Sequence, residues 1–202
     1  MSDDPIQLLT ETTPRDEERL AALHAVLVAR ASAESAVDVT YRLVDSPVGP
    51  LLLAATELGV VRVAFEIEGH DRVLESLASS VGSRVLRGGD RLDPLARELD
   101  DYFAGRRYGF DVPIDLRLAR GFRLTVLRHL SAIPYGSTES YGEVAVASGS
   151  PRAVRAVGSA CATNPLPIVV PCHRVVRSDG SLGGYLGGLP TKERLLALES
   201  AG

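Results

Sequence analysis

Ser140-Tyr141-Gly142-Glu143-Val144-Ala145-Val146-Ala147, then Ser148-Gly149-Ser150, then Pro151-Arg152-Ala153-Val154-Arg155-Ala156-Val157-Gly158-Ser159-Ala160-Cys161-Ala162, is the stretch that decides how the second half of the chain folds. Ser140 and Glu143 have the S-x-x-E form of a capping box, in which side chain and backbone at a helix start satisfy each other. A short helix to about Ala147 follows. Ser148-Gly149-Ser150 reads as a tight turn, with Ser150 capping a second helix and Pro151 at its first position. Two short helices across a glycine-containing turn have the form of a helix-turn-helix. Apart from Arg152 and Arg155, the second helix is almost entirely Ala, Gly, Ser and Val. Small side chains let a helix backbone approach another surface closely. A nucleic-acid minor groove is only about 6 Å wide, and a protruding Arg155 could be pressed into it. The competing reading is a helix packed tightly on the protein core, with Arg155 in a salt bridge.

Upstream, Phe122, Val126, Leu127, Leu130 and Ile133 mark an amphipathic helix that stops at Pro134-Tyr135-Gly136. Gly105-Arg106-Arg107-Tyr108-Gly109 through Pro113 reads as a linker. Before it, residues 38–67 read as three antiparallel strands: Val39–Val44 alternates, Leu51–Ala55 is buried, and Val60–Phe65 follows the turn Glu57-Leu58-Gly59. Ser46-Pro47-Val48-Gly49 joins the first two. Helices are expected from about Asp71 to Ser79 and from Pro94 to Ala104, the second capped by Asp93. Residues 1–12 carry no structural signal. Thr13-Pro14 then reads as a helix start, and Leu20, Leu23, Val26 and Leu27 follow at helical spacing to about Ala33. The division is an N-terminal extension over 1–37, an α/β domain over 38–112 and a helix-turn-helix domain over 113–202, an α+β chain.

Downstream stands Ile168-Val169-Val170-Pro171-Cys172-His173-Arg174-Val175-Val176. Three β-branched residues and a proline predict a stiff, extended backbone delivering a thiol next to an imidazole. A cysteine that only fills a core needs neither neighbour; a nucleophile needs a fixed position and a base.

Composition narrows the alternatives. At 45% hydrophobic and 24% charged over 202 residues, the chain reads as an ordinary globular protein. Its two cysteines have no CxxC or His cluster around them, which excludes a disulfide framework and a zinc pattern and favours a reducing, cytoplasmic setting. His24, His70 and His129 show no metal-ligand spacing. The N-terminus is acidic without an apolar signal core, and no apolar run is long enough to span a bilayer. The net charge of −4 hides an asymmetry: residues 1–115 carry 12 Arg against 21 Asp and Glu, residues 116–202 carry 10 Lys and Arg against 5. A basic second half is what a phosphate-facing module needs.

Taken together, Ile133-Pro134-Tyr135-Gly136, Ser140-Tyr141, Arg155-Ala156-Val157-Gly158, Asn164-Pro165, the Cys172 stretch, Gly184-Tyr185-Leu186-Gly187-Gly188-Leu189 and Lys192–Glu199 resemble, in order and spacing, the 6-O-alkylguanine-DNA alkyltransferases. The resemblance is strong over 120–199, looser over 38–110 and nearly absent before residue 38. It implies a ribonuclease H-like N-terminal domain with a three-stranded antiparallel sheet and a winged helix-turn-helix. It also implies irreversible, single-turnover transfer of an alkyl group from the 6-oxygen of guanine in double-stranded DNA to Cys172. No cofactor, metal or membrane is implied, and the chain is expected to act as a monomer.

By the same resemblance, His173 is a base reaching Cys172 through water, Glu199 orients it, and Asn164 is the hinge joining the recognition helix to the active-site strand. Arg155 fills the vacated base stack from the minor groove. Tyr141 crowds the phosphate and can protonate the departing guanine, while Arg152 contacts DNA. The carbonyls of Cys172 and Val175 take the guanine amine, with Cys161, Tyr185 and Gly187 walling the pocket. Leu186 stands where relatives often carry a serine that can donate toward the guanine oxygen. The alternatives are a non-catalytic module that flips alkylguanine and recruits other factors, and a regulator using the helix-turn-helix alone.

Thiol chemistry supports the single-use expectation without the family. A free thiol is only a few per cent ionised near neutrality, so a base must help it. An acyl-enzyme can be opened by water, whereas an alkyl group on sulfur is an inert thioether.

Overall fold

The computed structural model describes residues 14–33 and 36–200. The alternating and buried stretches form β1 (Val39–Val44), β2 (Leu51–Thr56) and β3 (Gly59–Phe65), antiparallel in succession as expected. At the first turn, Gly49 N–H donates to Ser46 O at 3.0 Å with Gly49 at φ 94°, a left-handed conformation suited to glycine. The sheet is larger than the three strands read from the sequence. Val85–Arg87 forms β4, parallel to β1, giving the order β3-β2-β1-β4. Three residues are too few to display a period, and their partner is remote in sequence.

Every position of β2 is buried because both faces of the sheet are covered. Leu51, Leu53 and Ala55 face the main core, while Leu52 and Ala54 face Val73 and Leu77 of α2 (His70–Ser80). An unbroken apolar run is the signature of that environment. α3 (Asp93–Phe103) buries Leu95, Leu99 and Tyr102. Asp93 does not cap it: Leu92 holds the cap position, and the Asp93 carboxylate accepts from Arg42 Nη1 at 2.6 Å.

α1 (Pro14–Ala33) forms as its spacing predicts, with Thr13 outside the described residues. Its apolar stripe is not its contact surface. Leu20, Leu23, Val26 and Leu27 are exposed, and the helix is attached through buried Val28 and a 2.6 Å hydrogen bond between His24 Nε2 and Arg87 O.

The second half places α4 (Gly121–Leu130), α5 (Tyr141–Ala147) and α6 (Val154–Ala162) against one another, with α7 (Leu189–Ser200) closing the fold. The capping box of α5 is realised: Glu143 N–H donates to Ser140 Oγ at 3.2 Å, and Ser140 N–H to Glu143 Oε2 at 2.6 Å. Ser150 does not cap α6. Its carbonyl accepts Ala153 N–H at 2.8 Å, closing a turn over Pro151-Arg152 that delays the helix to Val154. Proline is as favourable at the second position of such a turn as at a helix start, so the sequence signal serves both.

A two-stranded parallel pair, β5 (Glu139–Ser140) with β6 (Val175–Val176), ties the start of α5 to the segment after Cys172. The halves meet along β3. Val60 N–H donates to Pro113 O at 2.8 Å, Asp115 N–H to Val60 O at 2.7 Å, and Val63 N–H to Pro165 O at 2.9 Å. Gly59 makes this approach possible, since a Cβ there would lie 2.3 Å from Pro113 O. One core runs from Leu51 and Leu95 through Leu127 and Val157 to Leu195. No helix among the described residues is long and apolar enough to cross a membrane.

Candidate active site

The segment carrying Cys172 is compact, not extended. Ile168 has φ 74°, Val170 N–H donates to Leu166 O at 2.7 Å, and Cys172–Arg174 form one turn of 3-10 helix before β6. A left-handed conformation at a β-branched residue is strained, and Asn164 holds it. Asn164, fully buried just after α6, accepts Leu166 N–H on Oδ1 at 3.0 Å and donates from Nδ2 to Val170 O at 2.8 Å. One amide thus clamps both arms of the loop. The same Nδ2 lies 3.1 Å from Cys172 Sγ and donates to it.

Cys172 is 2% exposed. Burial pushes its thiol up to about 11, opposed by the Asn164 hydrogen bond and the Lys192 charge. At neutral pH the thiol is therefore protonated. The imidazole next to it in sequence is uncharged. His173 is fully buried, and burial pulls its imidazole below the ordinary value against the pull of Glu199, so the ring is neutral at neutral pH.

Glu199 fixes the tautomer. Burial alone would raise its carboxyl, but hydrogen bonds from His173, Arg174 and Tyr102 take it down to about 2, so it is ionised and only accepts. His173 Nε2 therefore donates to Glu199 Oε1, at 2.8 Å, and Nδ1 keeps its lone pair. That Nδ1 is buried and has no hydrogen-bond partner among the described residues. Cys172 and His173 make no direct hydrogen bond, as expected for adjacent residues. Arg174 binds the carboxylate with two donors, Nε to Oε2 and Nη2 to Oε1, each at 2.9 Å.

The remaining site residues fall into two groups. Cys161, Val175, Tyr185 and Tyr141 gather around the thiol. Cys161 is 5% exposed and its thiol is pushed up to about 12 by burial and then by Cys172. The Tyr141 phenol is raised by burial and by both thiols, so it lies in the same electrostatic neighbourhood. Tyr185 packs edge-on to His173, with ring centroids 6.3 Å apart, and to Phe65 at 5.6 Å. Its hydroxyl is buried without a partner among the described residues. Gly187 lacks a side chain where a Cβ would come within 2.9 Å of the Phe65 ring. The carbonyls of Cys172 and Val175 each hold one donor already, from Val175 N–H and Lys192 Nζ, and each keeps a second lone pair.

Arg155 and Arg152 stand apart on the outer surface. α6 turns Val157, Ala160 and Cys161 inward and leaves Arg155, Ala156 and Ser159 exposed. Arg155 makes no hydrogen bond or ion pair among the described residues, which removes the salt-bridge reading.

Sequence reasoning assigned no role to four residues of this network. Lys192 is fully buried. Arg174 belongs to the quoted motif yet acts through Glu199. Tyr102 and Arg62 come from the other half: Arg62 Nη1 donates to the carbonyls of Pro165, at 3.2 Å, and Asn164, at 3.4 Å. A charged residue in an apolar helix face was the available signal for Lys192; Tyr102 and Arg62 had none.

A four-stranded α/β half is joined to a helix-turn-helix half, and a buried thiol lies beside an asparagine and next in sequence to a carboxylate-bound histidine. A sequence profile described as 6-O-methylguanine DNA methyltransferase, ribonuclease-like domain, matches residues 39–116, and one for the DNA-binding domain of the same family matches 121–201. The chain belongs to the 6-O-methylguanine DNA methyltransferase family. A methylated-DNA–protein-cysteine methyltransferase of Methanosarcina barkeri is 43% identical over 162 residues, 79% of this chain and 96% of the relative. One from Mycolicibacterium paratuberculosis is 44% identical over 167 residues, 80% and 92% of the two chains. Among solved structures, Mycobacterium tuberculosis OGT in complex with DNA matches with a TM-score of 0.71 at 40% identity, covering 80% of this chain and 93% of that one.

Proposed function

We propose that the chain repairs DNA by direct reversal, moving the alkyl group of 6-O-alkylguanine onto Cys172 in a single turnover. The observation that carries this reading is the state of the pair at the site: a buried, protonated thiol beside a neutral imidazole whose Nε2–H is locked on an anionic carboxylate. The thiol proton passes to His173 Nδ1, bridged by water. Sγ attacks the alkyl carbon, the carbon–oxygen bond breaks, and its electrons stay with the guanine oxygen. The departing guanine takes up a proton, with Tyr141 the acid at hand. Sulfur ends as a thioether, which water does not open. The displacement changes no oxidation state and calls for no cofactor.

The target atom lies within a duplex, so the base must leave the stack. Arg155, exposed and unpaired among the described residues on a helix of small residues, suits entry from the minor groove. Arg152 serves the backbone. Cys161, Val175, Tyr185 and Gly187 form the base pocket, within a domain spanning 113–202 that is supported by the domain over 38–112. We place the protein in the cytoplasm, acting as a monomer. A module that only binds the lesion has no use for the Cys172–His173–Glu199 set. The test is stoichiometry with excess duplex bearing 6-O-methylguanine. Demethylation stops at one equivalent per chain; binding without demethylation, or turnover beyond one equivalent, overturns the proposal.

A further inference from the structure

Glu199 lies on α7, yet one donor to it arrives from the other half of the molecule. Tyr102, in the last turn of α3, is fully buried, and its hydroxyl donates to Glu199 Oε1 at 2.7 Å. The same oxygen accepts from His173 Nε2 and Arg174 Nη2. Three rings hold the phenol in place, with centroids of Phe103 and Phe110 at 5.4 Å and Tyr135 at 6.1 Å. A buried tyrosine usually finds some partner for its hydroxyl, so a satisfied core residue is the plain alternative. The acceptor is what argues against it: an anionic oxygen shared with the imidazole.

We infer that Tyr102 is a positioning residue for alkyl transfer, whose hydroxyl fixes the Glu199 carboxylate and competes with His173 for Oε1, thereby tuning how strongly His173 Nδ1 attracts the Cys172 proton. This rests on the roles given to Cys172, His173 and Glu199 above. Each donor on a carboxylate oxygen reduces the negative charge left for the others. Without the hydroxyl, Oε1 is a stronger partner for Nε2–H. Nδ1 then takes up the thiol proton more readily, and Cys172 becomes reactive at lower pH. At the same time the carboxylate loses a fixed contact, so the aligned fraction and the maximal rate fall.

The other groups acting here are left in place by Tyr102→Phe. Around Glu199 they are Arg174, Gly136 N–H and Tyr135. Arg174 and Lys192 act on His173. Asn164 and Lys192 act on Cys172, which in turn faces Cys161, Tyr141 and Tyr185.

The test compares wild type, Tyr102→Phe and the packing control Phe103→Leu. Two pH profiles are measured: the single-turnover rate on methylated duplex, and iodoacetamide alkylation of Cys172 read from its peptide. Tyr102→Phe is expected to lower the maximal transfer rate about tenfold, as loss of one hydrogen bond to a charged group should, and to move the midpoint of both profiles to lower pH. Phe103→Leu should leave both midpoints in place. Unshifted midpoints in Tyr102→Phe, or the same shift in Phe103→Leu, overturn the inference. A wild type that fails to demethylate DNA while the alkylation midpoint still shifts overturns the repair reading and leaves the role of Tyr102 standing.

Discussion

Replacing Glu199 by glutamine removes the charge on which the site is organised while keeping its shape. The carboxylate accepts from Tyr102, His173 and Arg174 on Oε1, and from Arg174 Nε and Gly136 N–H on Oε2. These hold its carboxyl at about 2 against an ordinary 4.5. At about 1.4 kcal/mol per unit, the ionised form is worth about 3 kcal/mol to the fold. The substituted amide would present an N–H₂ group to donors and leave the Arg174 guanidinium, itself 5% exposed, without its counter-charge. The expected loss by urea unfolding at pH 7 is about 3 to 5 kcal/mol. The sign of the pH dependence follows from a depressed acid. The contribution is full above pH 4.5, fades as pH falls toward 2, and at pH 3 stands at about half. The stability gap between wild type and Glu199→Gln must therefore narrow in acid. Single-turnover transfer at pH 7 should slow by about 100-fold or more, the scale of a general base that has lost its support. A variant within about 1 kcal/mol of wild type, or a gap that does not narrow between pH 6 and 3, would refute the assignment of Glu199 as the buried anion.

Asn164→Ala should cost about 1–3 kcal/mol through the stranded Val170 carbonyl and Leu166 N–H, and should raise the Cys172 thiol further; chemical unfolding and the pH dependence of Cys172 alkylation read these. Arg155→Ala should leave stability unchanged and slow transfer from duplex far more than from a free alkylguanine base; an equal effect on both substrates sinks the minor-groove role. Gly183→Ala places a Cβ 2.2 Å from the Tyr141 hydroxyl, so a thermal melt close to wild type combined with slower transfer is expected, because a phenol tip moves cheaply but is then out of position.

How much could be read beforehand depended on whether a signal was local. Ser140 and Glu143 formed their box because both partners sit within one turn. The strand runs of 39–65 followed their periods, and the helix read from Phe122 through Ile133 ends earlier, at Leu130. Asp93 and Ser150 had the right chemistry for caps, yet Asp93 was taken by Arg42 and Ser150 by a proline turn. β4 exists only because β1 offers an edge. The apolar run before Cys172 predicted a strand, and Asn164 bent it into a loop with Ile168 in a left-handed conformation. Cys172, His173, Asn164 and Glu199 were singled out through the family resemblance, and the structure places Asn164 on the Cys172 sulfur and Glu199 on His173. Tyr102, more than ninety residues away in sequence, reaches Glu199 only through the packing of the two halves.

Repair by this chain stands or falls on whether Cys172 accepts the alkyl group. Peptide mass spectrometry after incubation with duplex carrying one 6-O-methylguanine decides it. The expected result is one added methyl on the Cys172 peptide, none on the Cys161 peptide, restored guanine in the DNA, and no methylated peptide from Cys172→Ser despite retained binding. A methyl on Cys161, or a bound lesion with an unmodified Cys172 peptide, would contradict it.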